Sequence, residues 1–114
     1  MSPLTTHVLD TASGRPALGL HVRLERLDLA TGGAELLARG LTDGEGRVRD
    51  LLRPGQLTVG DYRLTFETGA YFLANNVEGF YPYVSVVFTV RNPGEHHHVP
   101  LLLSPWGYST YRGS

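Results

Sequence analysis

No cysteine occurs in the 114 residues, so neither a disulfide nor a thiolate metal site is available. Small secreted domains commonly rely on disulfides, and their absence fits a reducing compartment. Neither sign of charge dominates: ten Lys and Arg nearly cancel eleven Asp and Glu. Without a basic stripe, nucleic acid is not an expected partner. No apolar run approaches the roughly 20 residues that a membrane-spanning helix needs. The opening Met1-Ser2-Pro3-Leu4-Thr5-Thr6 lacks the charged and apolar regions of a signal peptide. Internal repeats, linkers and low-complexity runs are missing too. These absences lead us to expect a soluble cytoplasmic protein with no membrane partner, residues 1–114 forming a single domain. A chain of this length buries roughly two-thirds of its unfolded surface, enough for one core without covalent staples.

What is abundant is turn chemistry. Fourteen glycines and seven prolines favour many short strands over a helical bundle. Leu4 to Asp10 is a first strand, ended by Ala12-Ser13-Gly14-Arg15-Pro16. Leu20, Val22 and Leu24 alternate with polar residues and then shift phase to Leu27 and Leu29. A β-bulge near Arg26, or a change in the covered face, explains the shift. Ala30-Thr31-Gly32-Gly33 reads as a hairpin turn, followed by a strand from Ala34 to Leu41. Thr42-Asp43-Gly44-Glu45-Gly46 is a second turn, and Arg47 to Leu52 a short strand. Tyr62, Leu64 and Phe66 mark another strand. Thr68 to Asn76 lacks period-two alternation and is the one helix expected, with Thr68 as its cap and Asn75-Asn76 as its end. Tyr83 to Arg91, His96 to Leu103 and Tyr108 to Ser114 complete roughly eight short strands, the pattern of a sandwich. Tyr81-Pro82-Tyr83 reads as core and strand entry, and Trp106 as packing or interface.

Three segments resemble the transthyretin-related 5-hydroxyisourate hydrolases. The first is Leu4-Thr5-Thr6-His7-Val8-Leu9-Asp10 with Ser13-Gly14-Arg15-Pro16-Ala17. The second runs from Thr42-Asp43-Gly44 through Gly46-Arg47-Val48. The third is His96-His97-His98-Val99-Pro100-Leu101-Leu102-Leu103-Ser104-Pro105 with the tail Tyr108 to Ser114. Phe80-Tyr81-Pro82-Tyr83-Val84 is also similar to the family's strand after the helix, and the terminal Tyr-Arg-Gly-Ser is the most specific match. In place of the family's usual aromatic residue stands His97, which strand geometry puts on the face opposite His98. The resemblance implies an all-β, transthyretin-like sandwich of two four-stranded sheets with one short helix. It further implies a homotetramer, a dimer of dimers, with active sites in the channel between dimers.

The implied reaction, a step of urate degradation, opens 5-hydroxyisourate with water to give 2-oxo-4-hydroxy-4-carboxy-5-ureidoimidazoline. Such a reaction needs a base for water, a cation for the developing anion and donors for a flat polar ring. His7, Arg47 and His98 are the catalytic candidates. A histidine is suited to base work because its unperturbed pKa lies near operating pH. Arginine keeps its charge and offers a planar fork of donors. A guanidinium near an imidazole also disfavours protonating it. The base is His98 or His7. Tyr111 and Ser114 are expected to position the substrate, Ser114 through its hydroxyl and α-carboxylate. Arg112 binds substrate or anchors the tail.

Taken without the resemblance, His7 reads as a surface strand residue and Arg47 as a solvated charge. His96 and His98, about 6.6 Å apart at Cα on one strand face, can chelate. No third or fourth ligand follows at zinc spacing, so neither metal nor cofactor is expected and zinc there would be adventitious. Two rival functions remain. A transthyretin-like small-molecule carrier shares the fold, but it wants an apolar channel where this chain places histidine, arginine and tyrosine. A structural β-sandwich module explains the strands and nothing about those residues.

Overall fold

Period-two alternation and turn residues produce the architecture of the computed structural model, which describes residues 2–114. In chain order the elements are β1 (Leu4–Asp10), β2 (Arg15–Pro16), β3 (His21–Asp28), β4 (Gly33–Leu41), β5 (Arg47–Val48), β6 (Gly60–Phe66), α1 (Thr68–Ala74), β7 (Val84–Val90), β8 (His97–Ser104) and β9 (Gly107–Thr110). One sheet has the order β2-β1-β8-β9, with β5 also paired to β1; the other has the order β4-β3-β6-β7. The first sheet therefore has five strands rather than the expected four. Strand β8 runs parallel to β1 along Leu4–Asp10, and the two-residue strands β2 and β5 divide the opposite edge of β1. It is four columns wide, with one column built from two pieces.

Alternation decides which residues meet between the sheets. Leu4, Thr6, Val8 and Asp10 of β1 are buried, while Thr5, His7 and Leu9 on the opposite face are half-buried. Strand β8 repeats the rule with His97, Val99, Leu101 and Leu103 inward. Facing them from the second sheet are Leu24, Tyr62, Leu64, Phe66, Val84 and Val90. Fully burying one such aliphatic or aromatic side chain contributes roughly 1.5–3 kcal/mol. Phe80, Tyr81, Trp106 and Tyr108 form an aromatic chain at the rim, centroids 5.0–6.0 Å apart, edge-to-face at Phe80–Tyr81 and Tyr81–Tyr108 and tilted at Phe80–Trp106.

Four local expectations need correction. The bulge is not in β3, which pairs β6 without interruption; the register slips between Leu24 and Glu25 against β4, where Leu37 is the extra residue. The phase shift in β3 is the other alternative, a change in coverage: Arg26 continues the inward face and bonds the Tyr62 hydroxyl at 3.1 Å, while Leu29 is exposed. The strand expected from Arg47 to Leu52 stops at Val48, because Leu51 and Leu52 turn into the core. Thr68 does not cap α1. Glu67 occupies that position without a side-chain capping bond, and Thr68 is buried with its hydroxyl donating to the Tyr81 carbonyl at 3.4 Å. Tertiary packing through Phe72 holds this seven-residue helix. Its end at Asn75-Asn76 is as expected, with Asn76 in the left-handed region at φ 58°. The last strand ends at Thr110, and Gly113 returns as an isolated bridge to His98.

Candidate active site

The face of the first sheet that points away from the core carries the chemistry. In the parallel pairing of β1 with β8, Thr5 stands opposite His98 and His7 opposite Pro100. His7 and His98 are therefore diagonal neighbours on one face. On the other edge of β1, His7 stands directly opposite Arg47. Three adjacent strands thus bring His7, Arg47 and His98 together from positions up to 91 residues apart. All three are half-buried.

The loop before β5 explains how Arg47 reaches this place. The Asp43 carboxylate accepts from the N–H groups of Glu45 and Arg47 at 2.9 and 3.0 Å, folding a tight Asx turn. Those N–H groups, Arg47 first, hold the Asp43 carboxyl below its ordinary pKa. Gly46 has φ 76°, and a Cβ there would lie 2.4 Å from the Val8 carbonyl. The Gly46 carbonyl accepts from the Val8 N–H at 2.8 Å, which docks the turn on β1. Buried Thr42 ties the other end, accepting from Leu20 N–H at 2.8 Å and donating to the Ala17 carbonyl at 2.7 Å. The result is a rigid mount for the guanidinium.

Electrostatics favour a neutral His98. Burial pushes its pKa below the ordinary histidine value, and the charges of Arg47, His7 and His96 act in the same direction. The hydrogen bond to Thr5 opposes them. Arg47 contributes a second feature: its Nε is buried and has no hydrogen-bond partner among the described residues. An unsatisfied buried donor costs roughly 1–3 kcal/mol, and a site that must receive an acceptor is a place where such a cost is tolerated.

Not every candidate from the sequence joins this group. Tyr111 and Arg112 line a cleft of about 260 Å³ with Val86, Phe88 and His97. It lies against the side of β8 opposite His98. Arg112 approaches Glu95 at 3.8 Å, with both side chains exposed. Ser114 is exposed and follows Gly113, whose N–H donates to the His98 carbonyl at 2.8 Å. His97 is buried, with its Nδ1 2.9 Å from the Glu95 carbonyl, on the face opposite His98 as expected. Concavity does not mark the site: a cleft of about 750 Å³ lies elsewhere, beside Asp10, Arg15 and Tyr71.

Two residues at the site have no role assignable from the sequence, and a third, His96, reads there only as an adventitious zinc ligand. Thr5 bonds both His96 and His98; its spacing of two from His7 was the available signal. Gly113 crowds the His98 ring, since a Cβ there would sit 2.6 Å from Cδ2; nothing in the sequence shows that approach. His96 stacks 6.5 Å from His98, centroid to centroid. Among the described residues no three His, Asp or Glu side chains converge to hold a metal ion.

Residues 4–113 match the HIUase/Transthyretin family profile. The 5-hydroxyisourate hydrolase of Mus musculus is 53% identical over 113 residues, covering 99% of this chain and 96% of that protein. Among solved structures, Klebsiella pneumoniae 5-hydroxyisourate hydrolase aligns with TM-score 0.83 and 39% identity over 97% of this chain and 98% of its own. Sea bream transthyretin in complex with thyroxine aligns with TM-score 0.91 and 32% identity over 97% and 94%. The backbone is common to both kinds of protein, so the fold alone does not decide between them.

Proposed function

Because the chain belongs to the HIUase/transthyretin family and is one of its hydrolases, we propose that it hydrolyses 5-hydroxyisourate to 2-oxo-4-hydroxy-4-carboxy-5-ureidoimidazoline. The carrying observation is the outer-face cluster of His7, Arg47 and His98, set by the registers of β1 with β5 and β8. His98 is the base: its surroundings keep it neutral near pH 7, so it can take a proton from water as the oxygen attacks a ring carbonyl. Arg47 stabilises the resulting oxyanion, and its buried, unpartnered Nε is a donor suited to that task. The ring C–N bond then breaks, the proton passes to the leaving nitrogen, and the former carbonyl becomes a carboxylate. His7 holds the ring beside them. Ser114, next to the Gly113 bridge, contributes its hydroxyl to the substrate, whereas Tyr111 and Arg112, on the other side of β8, have no part in this step.

The cluster lies on the outer face of the sheet, and the half-buried Leu9 and Leu102 continue that face beyond the histidines. A second copy laid across it supplies the missing wall. This supports a homotetramer, a dimer of dimers, with the sites in the channel between dimers. A carrier on the same backbone would set a guanidinium and two imidazoles against an apolar ligand, with an uncompensated desolvation cost.

The test follows the ultraviolet decay of 5-hydroxyisourate generated in place by urate oxidase. Wild type should accelerate the decay, and Arg47→Ala should lose roughly 10²–10³-fold in kcat, the usual effect of removing an oxyanion donor. Spontaneous decay left unchanged by wild type would overturn the hydrolase reading and favour the carrier.

A further inference from the structure

One hydroxyl joins two imidazoles at this site. Thr5 Oγ1 lies 2.8 Å from His98 Nδ1 and 2.9 Å from His96 Nε2. A hydroxyl has a single hydrogen. It can donate to only one of the two rings, so at least one ring must donate to it, and the tautomers of His96 and His98 are constrained together through Thr5. The bridge is built into the backbone. Thr5 faces His98 in the parallel register, and β-branching restricts its χ1. The Gly113 N–H fixes the His98 backbone at 2.8 Å, and the missing side chain of Gly113 leaves room for the Cδ2 edge of the ring. With Nδ1 engaged, Nε2 is the only ring nitrogen of His98 free to meet a water.

We infer that Thr5 and His96 are positioning residues that fix His98 as the Nδ1–H tautomer, leaving the Nε2 lone pair as the base. In this arrangement His98 Nδ1–H donates to Thr5 Oγ1, and the Thr5 hydroxyl donates to His96 Nε2. His96 is exposed, so its own proton sits on Nδ1, where solvent can accept it. Donation to His96 polarises the Thr5 oxygen and makes it a better acceptor from His98. That matters most when Nε2 has taken the proton of water and His98 carries a charge. The inference rests on the reading that His98 is the base of the hydrolase.

Thr5→Val, Thr5→Ser and His96→Ala test it. Valine keeps the shape and strand preference of threonine and removes only the hydroxyl, and serine restores it. Misplacing a general base removes part of the roughly 10²–10⁴-fold it supplies; Thr5→Val should therefore lose about 10–100-fold in kcat with KM nearly unchanged. Thr5→Ser should recover most of the rate, and His96→Ala should fall between. Two-bond proton–nitrogen NMR of the imidazoles reads the tautomer directly: His98 should be the Nδ1–H form in wild type and shift toward Nε2–H in Thr5→Val. An equally active Thr5→Val protein, or an Nε2–H form of His98 in wild type, overturns the inference. An inactive wild type overturns the hydrolase reading instead, so the two failures are distinct.

Discussion

His98 gathers effects that each act over a few ångströms. Burial, then the nearby cation of Arg47, then His7 and His96 all disfavour its charged form. The sign of the pH dependence follows. A base with a lowered pKa stays usable to lower pH, and activity disappears only once the imidazole protonates. The acid limb of kcat/KM should have its midpoint below about 6.5, the ordinary histidine value. An acid limb with its midpoint clearly above about 6.5 would contradict the lowered pKa of His98 and its role as base. Other residues at this scale serve the frame. The Asp10 carboxylate accepts from the N–H groups of Ala12 and Ser13 and from the Tyr71 hydroxyl at 2.9–3.1 Å. Burial, with Asp10 beside it, pushes the Tyr71 phenol up to about 12, so that bond is kept throughout the pH range of the assay.

At the scale of elements, two glycines separate folding from chemistry. Gly46 stands where φ is 76° and where a Cβ would meet the backbone carbonyl of Val8 at 2.4 Å. Gly46→Ala must move the Asp43–Arg47 turn, and the left-handed conformation alone costs a non-glycine residue roughly 1–2 kcal/mol. Thermal unfolding should therefore fall by several degrees, about 4–8 °C per kcal/mol for a domain near this size. Gly113 contacts the His98 ring instead, with a prospective Cβ 2.6 Å from Cδ2. Gly113→Ala should displace the imidazole and lower kcat, while the melting temperature stays near wild type. Equal effects of the two substitutions on melting temperature would show that Gly113 acts through folding. The strands themselves were legible because alternation is local. The end of β5 at Val48 and the packing of Thr68 were not, because both depend on what the second sheet and the Tyr81 segment offer in space.

For the whole molecule, the outer face matters most. His7 and His98 lead into Leu9 and Leu102, half-buried on the same outer face of the sheet. If paired dimers cover that face, activity per chain should fall together with the tetramer on dilution. Sedimentation and the decay assay, run at matched concentrations, check this; dimers of full specific activity would rule out sites in the channel between dimers.

Sequence by itself determined the strands, the turns and the single helix, because alternation and turn chemistry act over a few residues. Its resemblance to a family also singled out His7, Arg47 and His98. Only the tertiary structure decided how these meet. The parallel pairing of β1 with β8 spans more than 90 residues of chain, and register across that distance leaves no local mark. The same pairing turned Thr5, an ordinary strand residue by composition, into the link between two histidines. It also left Tyr111 and Arg112 on the other side of β8, since where a tail crosses a strand edge is fixed by packing rather than by spacing.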